Sequence, residues 1–213
     1  MIKREIQVIN LKERTDRWEY MTKTFPYLNL KRFDAIKHKT SWKGCSLSHI
    51  SVIEESKNKD EDYVIVMEDD VALFDKNRFM ELFDKIIFYL EDNLNKWDIF
   101  QFGTTYSEVG NNDNVHIINE ELNIIEYQLG YSASFIIYNK SVYDKMIKTK
   151  DNLVTERQNV NDVVKNGFGF RQWTILPFLA YQIDGFSDIQ KRNMSYKYVF
   201  LRNQSYLENK LIK

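Results

Sequence analysis

Glu68, Asp69 and Asp70 stand side by side in the run VIVMEDDVALF, between Val64–Met67 and Val71–Phe74. Neighbouring carboxylates repel, and burying any of them unpaired is costly. An apolar run that carries three acids therefore implies a compensating positive charge. Hard oxygen donors of this kind suit Mg²⁺ or Mn²⁺ carrying a substrate diphosphate. Taken alone, the run has a second reading of equal weight, a charged strand-to-helix turn in which Asp69 or Asp75 acts as a cap. Strand alternation would send Glu68 and Asp70 to one side and Asp69 to the other.

Two other acid-based chemistries fit less well. A phosphatase of the haloacid-dehalogenase type needs two Asp one residue apart after an apolar strand, and neither frame of the run supplies them. An EF-hand loop needs a central Gly, and there is none between Gly44 and Gly103.

The elements that must position these acids can be read from the same pattern. Tyr63 to Met67 is apolar without alternation, which predicts a strand buried on both faces and ending at the acids. Open α/β sheets bind ligands beyond the carboxyl ends of their strands. Glu5 to Leu11 predicts a first strand. A helix follows, with Asp16 and Glu19 spaced as a capping box and Pro26 beyond its end. Arg14 and Arg17 sit where the helix dipole favours acids, a placement suited to receiving a phosphate. Ser46 to Lys57 predicts a second helix. Asp75 to Asn93 predicts a third, with Phe79, Leu82, Phe83, Ile86, Ile87 and Leu90 in one stripe. Trp97 to Phe102, Val115 to Ile118, Ile124 to Tyr127 and Ser132 to Tyr138 predict strands. Ser141 to Lys148 and Val160 to Asn166 predict helices. This order implies an α/β fold with a mixed central sheet and helices on both faces.

The 213 residues suit one domain over 1–213, with no repeat and no boundary. A formal charge of −1 argues against a nucleic-acid binder. Cys45 is the only cysteine, which excludes an internal disulfide and any zinc site with two or more cysteine ligands. With no partner base in view, it reads as a buried filler rather than a nucleophile. No 18-residue apolar run and no secretory h-region is present, so a cytoplasmic protein is expected. Residues 190–213 carry six Lys/Arg and one Glu, with Tyr196, Tyr198, Phe200 and Tyr206. One reading is a solvated terminal segment packing its aromatics on the domain. The other is a basic aromatic patch in peripheral contact with an anionic membrane at its inner face.

The acid cluster becomes specific with its neighbours. INLKERTDRWEYM (9–21), RFDAI (32–36), GCSLSH (44–49), VIVMEDDV (64–71), WDIFQFG (97–103), YSASFIIYNKSVYDKM (131–146), NVNDVV (159–164) and FSDI (186–189) follow in that order. The set resembles glycosyltransferase family 25, which holds lipooligosaccharide galactosyltransferases and the galactosyltransferase domains of collagen-modifying enzymes. The likeness runs from about Glu5 to Ile189.

What the resemblance implies is a GT-A-like (Rossmann-like) nucleotide-sugar fold and inverting, metal-dependent transfer of a hexose, galactose first, from a UDP-hexose donor. The acceptor would be a hydroxyl of a lipooligosaccharide-type glycan or of a collagen-like hydroxylysine. The cofactor would be Mn²⁺ or Mg²⁺, bound directly by Asp70, with Asp69 near the metal or the ribose and Glu68 beside them. Asn10, Leu11 and Arg14 would seat the nucleotide. Arg17 would pair with the diphosphate or, equally, with Glu13 or Asp16. Ala35 and Ile36 would line the uracil pocket, although Lys37 and His38 stand where family members carry Asp-Gly. Lys43, Gly44 and Ser48, at the start of the second helix, would offer a site for phosphate or sugar oxygens. His49 would hydrogen-bond the donor or brace the helix. Asp162, or failing it Asp188, would be the general base; Asp188 would otherwise complete the metal shell or bind the donor, and the alternative for both is helix capping. The altered loop at Lys37 and His38 keeps a second class open: a non-catalytic module that binds a nucleotide or glycan.

Overall fold

The computed structural model describes residues 4–106, 115–152, 166–187 and 192–211. Its first strands are β1 (Glu5–Asn10), β2 (Asn29–Asp34), β3 (Tyr63–Glu68) and β4 (Val71–Leu73). They are followed by β5 (Ile99–Gln101), β6 (His116–Asn119), β7 (Ile124–Tyr127) and β8 (Phe135–Asn139). The last are β9 (Gln172–Ile175), β10 (Ala180–Gln182), β11 (Gly185–Ser187) and β12 (Arg192–Met194). The helices are α1 (Thr15–Thr24), α2 (Ser41–Asn58), α3 (Lys76–Glu91), α4 (Tyr143–Lys148) and α5 (Tyr196–Leu211).

Eight strands form one mixed sheet in the order β2-β1-β3-β8-β5-β9-β7-β6, while β4 pairs with β10 and β11 with β12. The chain is thus an α/β fold with helices on both faces of a mixed sheet. Val64 and Val66 of β3 pack with Val52 and Ile53 of α2 and Met146 of α4. Ile65 and Met67 point the other way and pack with Phe79, Phe83 and Ile86 of α3. Both faces of β3 are therefore covered, which is why its sequence shows no alternation. Each fully buried Phe in this layer contributes roughly 2–3 kcal/mol of apolar burial. The Phe79 ring meets those of Phe83, Phe102 and Phe135 at 5.0, 6.0 and 6.0 Å.

Local structure departs from the expected pattern in instructive places. Asp16 does not cap α1: the N-cap is Arg14, without a side-chain cap, and Asp16 lies in the first turn. The two are tied instead by a fork of hydrogen bonds, Arg14 Nε and Nη2 donating to Asp16 at 2.9 and 2.8 Å. Asp75 does cap α3, its carboxylate accepting from Arg78 N. Helix α2 starts at Ser41, five residues before the expected start at Ser46, so Gly44, Ser48 and His49 lie within the helix and not at its first free N–H groups. Strand β2 has no apolar signature, because it is the sheet's edge and its side chains stay exposed or half-buried. The expected helix over 160–166 lies almost wholly outside the described residues.

Within the basic aromatic C-terminal segment, Tyr196–Leu211 forms α5 and packs on the domain. Phe200 and Leu207 are fully buried with Ile125, Tyr127, Leu176 and Phe178, and buried Asn203 donates to Thr104 O at 2.9 Å. Tyr198 and Leu201 remain exposed, at 65% and 41%. Among the described residues no helix is long and apolar enough to cross a membrane.

Candidate functional site

Strands β1 and β3 are parallel neighbours, with Ile9 opposite Glu68, so Asn10 and the acidic run emerge at the same edge. Asp69 and Asp70 form the turn from β3 into β4, and the strict alternation expected for the three acids stops there. Glu68, still in the strand, turns towards α2. Asp69 and Asp70 both turn towards Arg17, the guanidinium Nη1 lying 2.6 Å from Asp69 Oδ1 and 3.2 Å from Asp70 Oδ2. The compensating positive charge is therefore Arg17, delivered by the first turn of α1. It pairs with neither Glu13 nor Asp16.

The two aspartates differ in what is left over. Both oxygens of Asp69 are engaged, since Asn10 Nδ2 donates to Oδ2 at 2.6 Å. Asn10, fully buried, also donates to Arg14 O at 3.0 Å, fixing the start of α1 against the turn. Asp70 Oδ2 accepts from Arg17 and, at 3.1 Å, from Gln182 Nε2 of β10. Its other oxygen, Oδ1, is buried with no hydrogen-bond partner. Ile183 N donates to Asp70 O at 2.8 Å, and the antiparallel pairing of Gln182 with Val71 holds this strand in place.

The electrostatics follow from these contacts. Burial, then the Glu68 charge and that of Asp69, push Asp70 up to about 7 against the pull of Arg17 and Gln182. For Glu68, burial works against ionisation, but the hydrogen bond and charge of His49, with Cys45 and Arg17, outweigh it and hold the carboxyl below its ordinary value.

A hard divalent cation fits Asp70 on these grounds. The donors are oxygens, one is buried and unpaired, and the carboxylate lacks enough positive charge to ionise in the usual range. Asp69 fits less well as a ligand, because Arg17 and Asn10 occupy both its oxygens.

The other expected residues divide into exposed and buried sets. Leu11, Arg14, Ala35 and Lys43 are half-buried and Ile36 is exposed, with Ala35 N donating to Asn10 O at 3.0 Å. This places the 35–36 segment beside the end of β1. Lys37 pairs with Glu13, and Lys43 Nζ sits 5.4 Å over the Trp42 ring. Gly44, Ser48 and His49 are buried. Ser48 Oγ accepts from Ile36 N at 2.8 Å and donates to Gly44 O at 2.7 Å, so it pins the 35–36 segment to α2. A Cβ on Gly44 would stand 2.5 Å from Ile36 O, so only glycine allows this approach.

His49 takes the bracing role. Its Nε2 lies 3.3 Å from Glu68 Oε1 and its Nδ1 3.1 Å from Tyr138 Oη. It has no exposed surface. Asp162 and Asp188 lie outside the described residues.

Gln182 and Tyr138 are site residues that the sequence does not announce. Gln182 is 112 positions from Asp70 and carries no local signal. Tyr138 reads only as part of an apolar strand. A cleft of about 530 Å³ lined by Arg4, Glu5, Tyr63, Glu91 and Leu94 lies at the opposite edge, by the starting ends of β1 and β3, and holds none of the expected site residues.

Three solved structures resemble the chain in general architecture. A197 from STIV is 13% identical, with a TM-score of 0.49 over 91% of this chain and 93% of that one. A mannose-1-phosphate geranyltransferase from Thermus thermophilus is 7% identical, with a TM-score of 0.45 over 84% and 75%. An apo UDP-glucose pyrophosphorylase is 8% identical, with a TM-score of 0.47 over 84% and 76%. These likenesses are too distant to bear on chemistry. A comparison with curated proteins gives no match. The model of glycosyltransferase family 25, described as an LPS biosynthesis protein, matches residues 41–170, which include α2, the acidic run and β8. The chain belongs to glycosyltransferase family 25.

Proposed function

We propose that the chain transfers a hexose, galactose first, from a UDP donor to a glycan or hydroxylysine hydroxyl, with inversion at the anomeric carbon. The observation that carries this reading is Asp70, with a buried, unpartnered oxygen and a carboxyl pushed up to about 7 at the edge where β1 and β3 end.

In this reading Asp70 would hold Mn²⁺ or Mg²⁺, with Glu68 beside it, and the chemistry supplied would be positive charge against the departing diphosphate. Asp69 keeps the turn in register through Asn10 and Arg17. Arg17 holds a fixed positive charge at the same edge. Arg14 and Lys43 offer further charge to the phosphates, and Leu11, Ala35 and Ile36 a surface for the base. The acceptor oxygen attacks the anomeric carbon as the bond to the diphosphate breaks, and a carboxylate takes the hydroxyl proton. Asp162, then Asp188, is assigned that proton. A lipooligosaccharide-type acceptor would bring the face of α5 bearing Tyr198, Leu201 and Arg202 to the membrane; a collagen-like acceptor would not.

Hydrolysis of UDP-Gal, UDP-Glc, UDP-GlcNAc and UDP-GalNAc, measured with Mn²⁺, tests the reading. One UDP-hexose is expected to be turned over above the rest. UDP binding without turnover of any of the four would favour the non-catalytic module, for which the Lys37–Glu13 pair in place of an Asp-Gly loop is the motive.

A further inference from the structure

Beside the acidic run lies a side-chain group with different chemistry. Cys45 and His49 are one turn apart on α2, so they share a helix face. Strand β3 brings Glu68 against both. Cys45 Sγ is 3.2 Å from Glu68 Oε1 and His49 Nε2 is 3.3 Å from the same oxygen. One ligand atom from each of the three lies within 4.8 Å of the others.

The histidine is already held as a metal ligand would be. It is fully buried, and its remaining ring nitrogen is fixed by Tyr138 Oη at 3.1 Å. The rings of His49 and Tyr138 also meet edge-on at 5.9 Å. A ligating imidazole commonly uses its other N–H in this way, which sets the tautomer and the ring direction.

The two contacts through Glu68 suit a tetrahedral ion. Ligands bound at about 2.0–2.3 Å stand roughly 3.3–3.6 Å apart, so the two contacts through Glu68 already have the separation such an ion needs. Sulfur and imidazole donors select a thiophilic ion such as Zn²⁺, whereas the carboxylate oxygens of Asp70 select a hard one.

We propose that Cys45, His49 and Glu68 form a three-ligand site for a thiophilic divalent cation, Zn²⁺ foremost, with its fourth position open on the side where Glu68 is exposed. Binding releases the thiol proton, and His49 presents Nε2 while donating its Nδ1–H to Tyr138 Oη. Cys45 is then a ligand and not a filler. Because Glu68 precedes Asp69 and Asp70, Zn²⁺ here pins the carboxylate that the transfer reading places beside the hard cation, and Zn²⁺ is expected to inhibit. The site itself does not depend on that reaction.

The test uses the whole chain, stripped of metal by chelation and kept reduced with a phosphine. Titration with Zn²⁺ should show one site, with release of a proton that calorimetry counts in buffers of different ionisation enthalpy. Co²⁺ should give a thiolate-to-cobalt charge-transfer absorption. Cys45→Ser, with its fold confirmed by circular dichroism, should lose that absorption and bind Zn²⁺ at least tenfold more weakly. Asp70→Asn should keep both properties. Absence of the charge-transfer band in the wild type would overturn the proposal. So would Zn²⁺ binding that survives Cys45→Ser unchanged or is lost in Asp70→Asn, because the ion would then sit on the acidic run. Failure of every transferase assay leaves these readouts intact.

Discussion

Replacing Asp70 by Asn is expected to make the cation-free protein more stable and, in the same step, to cost on the order of a thousandfold in hexose transfer. The stability part follows from the shift of the Asp70 carboxyl to about 7 from an ordinary value of 3.8. Between these values the folded chain holds a proton that the unfolded chain has lost. The folded state is thus disfavoured progressively as pH rises from the ordinary carboxylate range to about 7, and the full cost persists above that. The cost is on the order of 4 kcal/mol. Asn keeps the shape and the acceptor for Gln182 without the charge. Urea denaturation should therefore show similar stabilities for the two proteins near pH 4 and a clear advantage for Asp70→Asn at pH 8. Asp98, held below its ordinary value, acts in the opposite sense in both proteins and cancels in the difference, whereas the repulsion between Glu68 and Asp70 is already part of the Asp70 cost and disappears with it. Added Mn²⁺ should stabilise the wild type and leave the variant unchanged. An Asn variant that is less stable at pH 8 would show that Asp70 is satisfied by groups already in the fold.

The second large effect concerns Arg17. Its guanidinium alone, among the described residues, makes ion pairs to Asp69 and Asp70. Removing one partner of a buried pair leaves the other charge uncompensated, and such losses run to about 3–5 kcal/mol. Arg17 is 29% exposed, which places the loss expected for Arg17→Met near the lower end of that range. The double variant Arg17→Met/Asp70→Asn should be more stable than the sum of the two single effects predicts, because one of the two charges that Arg17→Met strands is gone. Denaturant titrations of the four proteins measure the coupling directly. Strictly additive effects would mean that Arg17 does not hold Asp70 at all.

Parts of this site are legible in the sequence and parts are not, for physical reasons. Strand β3, its end at the acids and helix α3 with its Asp75 cap show through because burial on both faces, a 3.6-residue stripe and a capping Asp are local signals. The start of α2 does not, since Ser41 to Gly44 precede the apolar stripe and include a glycine, which is poorly suited to a helix. The partner of Arg17 is hidden because sequence neighbours compete on paper with residues 52 and 53 positions away. Parallel pairing of β1 and β3 settles that competition by placing the first turn of α1 over the end of β3. The motif GCSLSH does not announce the contacts its residues make. Ser48 and His49 are buried braces, and Gly44 is the gap that lets the 35–36 segment close on α2.

The transfer reading stands or falls on Asp70 holding a divalent cation that in turn holds the diphosphate of UDP. Calorimetric titration of UDP into the wild type and Asp70→Asn, each with Mn²⁺ and again in excess chelator, decides this. Wild-type affinity should rise at least tenfold with Mn²⁺, and the variant should bind weakly and identically in both conditions. Equal UDP affinity of the wild type in Mn²⁺ and in chelator would mean that no such cation bridges Asp70 and the nucleotide.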